Sequence, residues 1–155
     1  MEKKKNIGIV AHDNKKKDIM EWVAFNADKL LKHNLICTGT TGTLVQEVLK
    51  IHEEREGTKH DYSLIKLKSG PLGGDQQIGS LISEGRIDIM IFLWDPMQPQ
   101  PHDVDVKALL RIAVLYNIPV ACNRSSADFL ISSTLFESAY NQRVSDYSEY
   151  INRNV

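Results

Sequence analysis

The run Ile87-Asp88-Ile89-Met90-Ile91-Phe92-Leu93-Trp94 is apolar at all but one position. A strand with one wet face alternates apolar and polar side chains; a strand covered on both faces does not. The run therefore predicts a central strand of a parallel sheet, clad by helices above and below. Upstream of it, Ile7-Gly8-Ile9-Val10-Ala11, Leu35-Ile36-Cys37 and Tyr62-Ser63-Leu64-Ile65-Lys66 read as strands, and Ile118-Pro119-Val120-Ala121-Cys122 reads as another downstream. Helical patterns fall between them, over about 14–32 (burying Ile19, Trp22, Val23 and Leu30), 44–52, 76–84 and 104–116. Gly85 stops the third of these, as a glycine commonly does. A short helix near 127–132 and an amphipathic one around 146–152 complete the pattern. Repeated β-α-β units with short connections predict an α/β fold: a three-layer, doubly wound, Rossmann-like sheet of about five parallel strands. At 155 residues the chain is expected to form a single domain, 1–155.

Composition narrows the function. A net charge of −1 leaves no broad basic field for nucleic acid. No apolar run reaches membrane-spanning length. Met1-Glu2-Lys3-Lys4-Lys5 leads straight into the first strand without the apolar core of a signal peptide. Cys37 and Cys122 each close a strand-like run and read as buried free thiols of a reducing cytoplasm. The cysteines and histidines show no metal-ligand spacing. The charged segment 53–61 reads as a solvated excursion.

In an open parallel sheet, ligands sit beyond the carboxyl ends of the strands, where strand order reverses. The polar and glycine-rich clusters of this chain all follow strands. Thr38-Gly39-Thr40-Thr41-Gly42-Thr43 combines close backbone approach, hydroxyls and a helix start, which suits a phosphate; a Thr-rich helix cap is the plainer reading. The loop lacks the Lys-Ser/Thr pair of a Walker motif and the spacing of a dinucleotide fingerprint. After the first strand come His12-Asp13 and then Lys15-Lys16-Lys17, of which Lys16 is expected to face the site and the other two solvent. Ser69-Gly70-Pro71-Leu72-Gly73-Gly74-Asp75-Gln76-Gln77 delivers a carboxylate at a helix start. Asp75 is there either a base on a rigid mount or an ordinary N-cap. Trp94-Asp95-Pro96 and Pro101-His102-Asp103-Val104-Asp105 bring further carboxylates, with Asp103 expected as an N-cap. His102 is suited to donate to a developing oxyanion or to shuttle a proton. Anion cradle, lysine, carboxylate and histidine together suit proton abstraction next to the carbonyl of a small phosphorylated molecule.

These motifs, with Val10-Ala11-His12-Asp13 and the continuation Val106-Lys107-Ala108-Leu109-Leu110-Arg111, resemble the methylglyoxal synthase family in order and along most of the chain. Gly-Gly-Asp-Gln-Gln and Pro-His-Asp-x-Asp are specific to that enzyme, whereas the Thr-Gly-x-x-Gly loop marks only the wider fold. The resemblance implies a carbon–oxygen lyase that converts dihydroxyacetone phosphate to methylglyoxal and inorganic phosphate without a cofactor. It implies catalytic roles for Asp75, His102 and Asp105, and substrate contacts from His12, Lys16, Thr38, Gly39, Thr40, Thr41, Ser69, Gly70 and His102. Asp13 and Asp95 would support them. It also implies a cytoplasmic homohexamer inhibited by phosphate. The charged stretch between Lys50 and Asp61 makes this chain longer than compact members and lies outside every motif. Arg111 and Arg124 suit subunit contacts or anions. An isomerase of phosphorylated sugars, or a non-catalytic module binding a phosphate or nucleotide effector, would use a similar inventory; intact Asp75 and His102 argue against the module.

Overall fold

The computed structural model describes residues 1–99 and 102–153. Its five strands, β1 (Asn6–Ala11), β2 (Asn34–Cys37), β3 (Leu64–Lys66), β4 (Ile89–Leu93) and β5 (Val120–Ala121), form one sheet in the order β3-β2-β1-β4-β5. Every pairing is parallel. The sheet is doubly wound, and strand order reverses between β1 and β4. The apolar run at 87–94 supplies β4, buried at all five positions, but the middle of the sheet belongs to β1.

Side-chain alternation along the strands sorts the core into two layers. On one face Ile7, Ile9, Leu35, Ile89 and Ile91 pack against α1 (Lys16–Phe25), α2 (Ala27–Leu30), α3 (Gly39–Glu56) and α6 (Arg124–Ser132), with Trp22 and Leu49 at full burial. On the other, Val10, Ile36, Met90 and Phe92 meet Ile78 and Ile82 of α4 (Gly74–Ser83) and Val106, Leu109 and Ala113 of α5 (Asp103–Leu115). Apolar burial on both faces is what makes β4 read as an unbroken hydrophobic run. A last short helix, α7, spans Ser148–Ile151.

Several boundaries differ from the sequence reading, each for a local reason. The helix expected over 14–32 starts after a 3-10 turn, Asp13–Lys15, and breaks at Asn26, whose side-chain amide donates to the Trp22 carbonyl at 2.8 Å. Side-chain competition of this kind ends a helix that hydrophobic spacing alone would continue. Trp22 also donates its indole N–H to Asp128 at 2.9 Å, tying α1 to α6. The helix expected over 44–52 begins at Gly39, so the threonine-rich segment is its first turn rather than a preceding loop. It continues to Glu56, where Gly57 closes it in the left-handed conformation with φ 66°; half of the expected charged excursion is therefore helical. Tyr62 and Ser63 lie outside β3.

Cys37 is buried and unpaired, and burial pushes its thiol up to about 12; the half-buried Cys122 is raised by the same cause. At the amino end of β1, Lys5 is buried and its ammonium donates to the carbonyls of Glu2 and Ser138. Among the described residues, no helix is long and apolar enough to cross a membrane.

Candidate active site

The switch point between β1 and β4 opens a pocket at the carboxyl edge of the sheet. It is lined by Val10, Ala11, His12, Asp13, Lys16, Thr38, Thr40, Ser69, Gly70, Pro71, Asp75 and His102. Four separate connections supply these side chains, and the sheet alone brings them together.

Asp75 is not a cap. A 3-10 turn, Gly70–Leu72, ends at Gly73 with φ 98°, and Gly73 is the residue that starts α4. A positive φ of that size strains any residue with a Cβ. With Gly73 as the cap and Gly74 as the first helical residue, Asp75 lies inside the first turn, and its carboxylate is almost fully buried. Its Oδ2 lies 2.6 Å from Nδ1 of His102, a contact that holds one proton between the two groups. Oδ1 is buried without a partner among the described residues. Gly70 packs against this pair so closely that a Cβ there would stand 2.9 Å from His102 Cε1 and 3.2 and 3.3 Å from the two Asp75 oxygens.

Asp103 is likewise not the cap of α5: His102 holds the capping position, and Asp103 is the first helical residue. That position carries the His102 ring into the pocket. Pro101 of the Pro-His-Asp-x-Asp motif lies outside the described residues.

His12 completes the polar wall. Its ring meets Phe92 edge-on at 5.2 Å and His102 at 5.7 Å. The Asp95 amide donates to His12 Nδ1 at 3.2 Å. Burial holds the imidazole below its ordinary value; His102 adds to this, and Asp75 and Asp95 oppose it. The ring is therefore neutral near pH 7, and with Nδ1 accepting, its proton sits on Nε2. That Nε2–H is buried without a partner among the described residues. An unpaired buried donor beside an unpaired buried carboxylate oxygen is a pocket made for a ligand.

Of the three consecutive lysines only Lys16 turns inward. Its ammonium donates to Ala11 O at 2.5 Å and Thr41 Oγ1 at 2.7 Å, leaving one N–H, and burial pushes its pKa down with Asp13 opposing. Lys15 reaches Asp18, and Lys17 reaches Glu21. Across the pocket floor, the Gly39 amide is taken by Lys68 O and the Gly42 amide by Thr38 O. Among the described residues the Thr40 and Thr41 amides have no partner outside the helix; such a helix N-terminus is the usual seat of a phosphate group.

Four of the expected site residues do not line the pocket. Gly39 gives close approach instead, since a Cβ there would meet Ser69 N at 2.9 Å. The fully buried Thr41 hydroxyl is engaged by Lys16. Asp95 stands behind His12, fastened by the Met97 amide at 3.0 Å and Asn14 at 2.8 Å, which hold its carboxyl below the usual range. Asp105 lies on the far side of Asp75, in a groove between α4 and α5 that Gln76 and Arg111 also line. Arg124 pairs with Glu21 at 3.2 Å, away from the pocket. The sequence reading missed Asn14, whose amide bridges Asp95 and Gln98. It follows His12-Asp13 directly, but the local sequence gives no hint that it reaches a loop more than eighty residues away. Among the described residues, no group of three or more His, Cys, Asp or Glu side chains could hold a metal.

Comparison with known proteins gives one answer. The MGS-like domain family matches residues 18–122. Methylglyoxal synthase of Maridesulfovibrio salexigens is 55% identical over 157 residues, covering 100% of both chains. Methylglyoxal synthase of Cellvibrio japonicus is 50% identical, covering 96% of this chain and 90% of its own. The crystal structure of methylglyoxal synthase from Elizabethkingia anophelis NUHP1 superposes with a TM-score of 0.84 at 48% identity, covering 100% of this chain and 95% of the other.

Proposed function

The chain belongs to the methylglyoxal synthase family, and from that premise we propose that it converts dihydroxyacetone phosphate to methylglyoxal and inorganic phosphate as a carbon–oxygen lyase. The observation that carries the reading is Asp75: one carboxylate oxygen is locked to His102 at 2.6 Å and the other is buried and unpartnered at the pocket.

Asp75 Oδ1 removes a proton from the hydroxymethyl carbon, C3, and the electron pair left behind forms the C2–C3 double bond of an enediolate. Charge develops on the carbonyl oxygen at C2. His12 Nε2–H is a neutral donor whose tautomer the Asp95 amide fixes in advance, so stabilising that charge costs little reorganisation. This gives His12 the oxyanion contact that the sequence reading gave to His102. His102 orients the base and can move a proton along the Nδ1–Oδ2 contact. The phosphate rests on the Thr40 and Thr41 amides and the remaining Lys16 N–H, with Thr38, Ser69 and Gly70 around it.

If the C1–O bond stands perpendicular to the enediolate plane, its σ* orbital overlaps the π system. As the C3 hydroxyl gives up its proton and becomes the aldehyde carbonyl, the C2=C3 pair shifts to C1=C2, the C1–O bond breaks with its electron pair leaving on phosphate, and the C2 oxygen takes a proton. The resulting enol tautomerises to methylglyoxal. Thr40, Thr41 and Lys16 serve a second time by stabilising the departing anion. Asp13 and Asp95 set the charge and geometry around His12 and Lys16. Asp105 acts at a distance from beyond Asp75. Acid, base and donors suffice without a cofactor.

We also read residues 1–155 as one domain of this kind, assembling as a cytoplasmic homohexamer inhibited by phosphate; family membership supports that reading. The test is purified protein with dihydroxyacetone phosphate, with methylglyoxal and free phosphate measured together. Equal amounts of both are expected. Glyceraldehyde 3-phosphate without phosphate release would mean an isomerase, and saturable phosphate binding without turnover would mean an effector module.

A further inference from the structure

We propose that Gln77 is a positioning residue for the reaction read above, strapping the substrate loop to the helix that carries the base. The side chain does not line the pocket. Its Oε1 accepts the Lys68 amide at 2.9 Å. The next peptide is held as well: Lys68 O accepts from the Gly39 amide of α3 at 3.1 Å, and a Cβ on Gly74 would stand only 2.2 Å from it. One residue on, Ser69 O accepts the Gly74 and Leu72 amides at 2.9 and 3.0 Å. Ser69 and Gly70 then form the pocket wall, with Gly70 against both Asp75 and His102.

Gln77 and Asp75 sit two residues apart on the first turns of α4. Two hydrogen bonds from that helix, at Gly74 and at Gln77, therefore set the distance between the base and the loop facing it, and only the second is made by a side chain. The contacts at Gly39 and Gly74 fix the Lys68 carbonyl but leave its N–H to Gln77 alone among the described residues. Without the strap the Leu67–Lys68 peptide loses its tie to α4, and the chain entering Ser69 and Gly70 gains freedom to shift. Displacements of about 1 Å in a positioned site cost on the order of a hundredfold in rate.

The acceptor oxygen is the chemistry that matters, so two substitutions separate strap from bulk. Gln77→Met keeps the length and loses the acceptor; Gln77→Glu keeps the acceptor. The half-exposed site lets water reach a released Lys68 amide, so neither variant should unfold. Gln77→Met is expected to lower kcat about tenfold or more, with inhibition by inorganic phosphate, held mainly by the α3 turn, changed by less than about twofold. Gln77→Glu is expected to restore kcat to within about threefold. Hydrogen exchange of the 68–73 amides should quicken in Gln77→Met and not in Gln77→Glu, a readout independent of turnover. Wild-type kcat in Gln77→Met, or equal losses in both variants, would overturn the proposal. If wild-type protein made no methylglyoxal, the functional reading would fall, and loop exchange alone would still decide whether the strap exists.

Discussion

Asp75→Asn is expected to lower kcat about a thousandfold while leaving the fold and phosphate binding intact. The substitution keeps the size and planarity of the side chain, and an amide can hydrogen-bond to His102 Nδ1 in place of the present 2.6 Å contact. What disappears is the basic oxygen. General-base groups of this kind contribute about 10²- to 10⁴-fold, and no second carboxylate lines the pocket opposite His102 except Asp13, which stands beside Lys16. Steady-state kinetics with thermal unfolding and phosphate inhibition checks the expectation. Wild-type turnover in the variant would remove Asp75 from the chemistry. A large fall in unfolding temperature with proportionate loss of activity would make its role structural.

The second large effect belongs to a residue with no side chain. Gly70→Ala places a methyl group 2.9 Å from His102 Cε1 and within 3.3 Å of both Asp75 oxygens. Carbon atoms do not tolerate such distances, so the loop, the imidazole or the carboxylate must shift. Each possible shift separates the base from its partner or narrows the space over Oδ1. A loss of about a hundredfold in kcat/KM is expected, with only modest destabilisation because the added methyl faces a cavity. Activity within about threefold of wild type would show that the base and its partner are not held where the structure places them.

Much of the fold was legible because it depends on periodicity. The unbroken apolar run around Phe92 and the alternation of strands with helices gave the parallel, doubly wound sheet, and the carboxyl-edge rule gave the site. Lys16 does turn inward as expected, but nothing in the local sequence separates it from Lys15 and Lys17. The errors cluster where one residue overrides a pattern. Gly73, at φ 98°, caps α4 ahead of Asp75, so the helix expected from residue 76 begins at Gly74 and the cap alternative for Asp75 falls away. Asn26 breaks a helix by bonding the Trp22 carbonyl.

Partnerships across the fold were not legible either. Asp75 and His102 are separated by 27 residues and His12 and Asp95 by 83, and no local spacing announces such contacts. The hydrogen bond from the Asp95 amide nevertheless decides which histidine nitrogen carries a proton. That contact is the ground on which we propose His12, rather than the His102 of the sequence reading, as the oxyanion donor.

In the proposed reaction, proton removal at C3 drives phosphate from C1, and dihydroxyacetone phosphate carrying two deuterons at its hydroxymethyl carbon tests that directly. The expected methylglyoxal keeps one deuteron, on the aldehyde carbon, and has none in its methyl group; one deuteron passes to solvent for each phosphate released. Dihydroxyacetone retaining both deuterons, with phosphate set free, would show hydrolysis without proton abstraction and contradict the account.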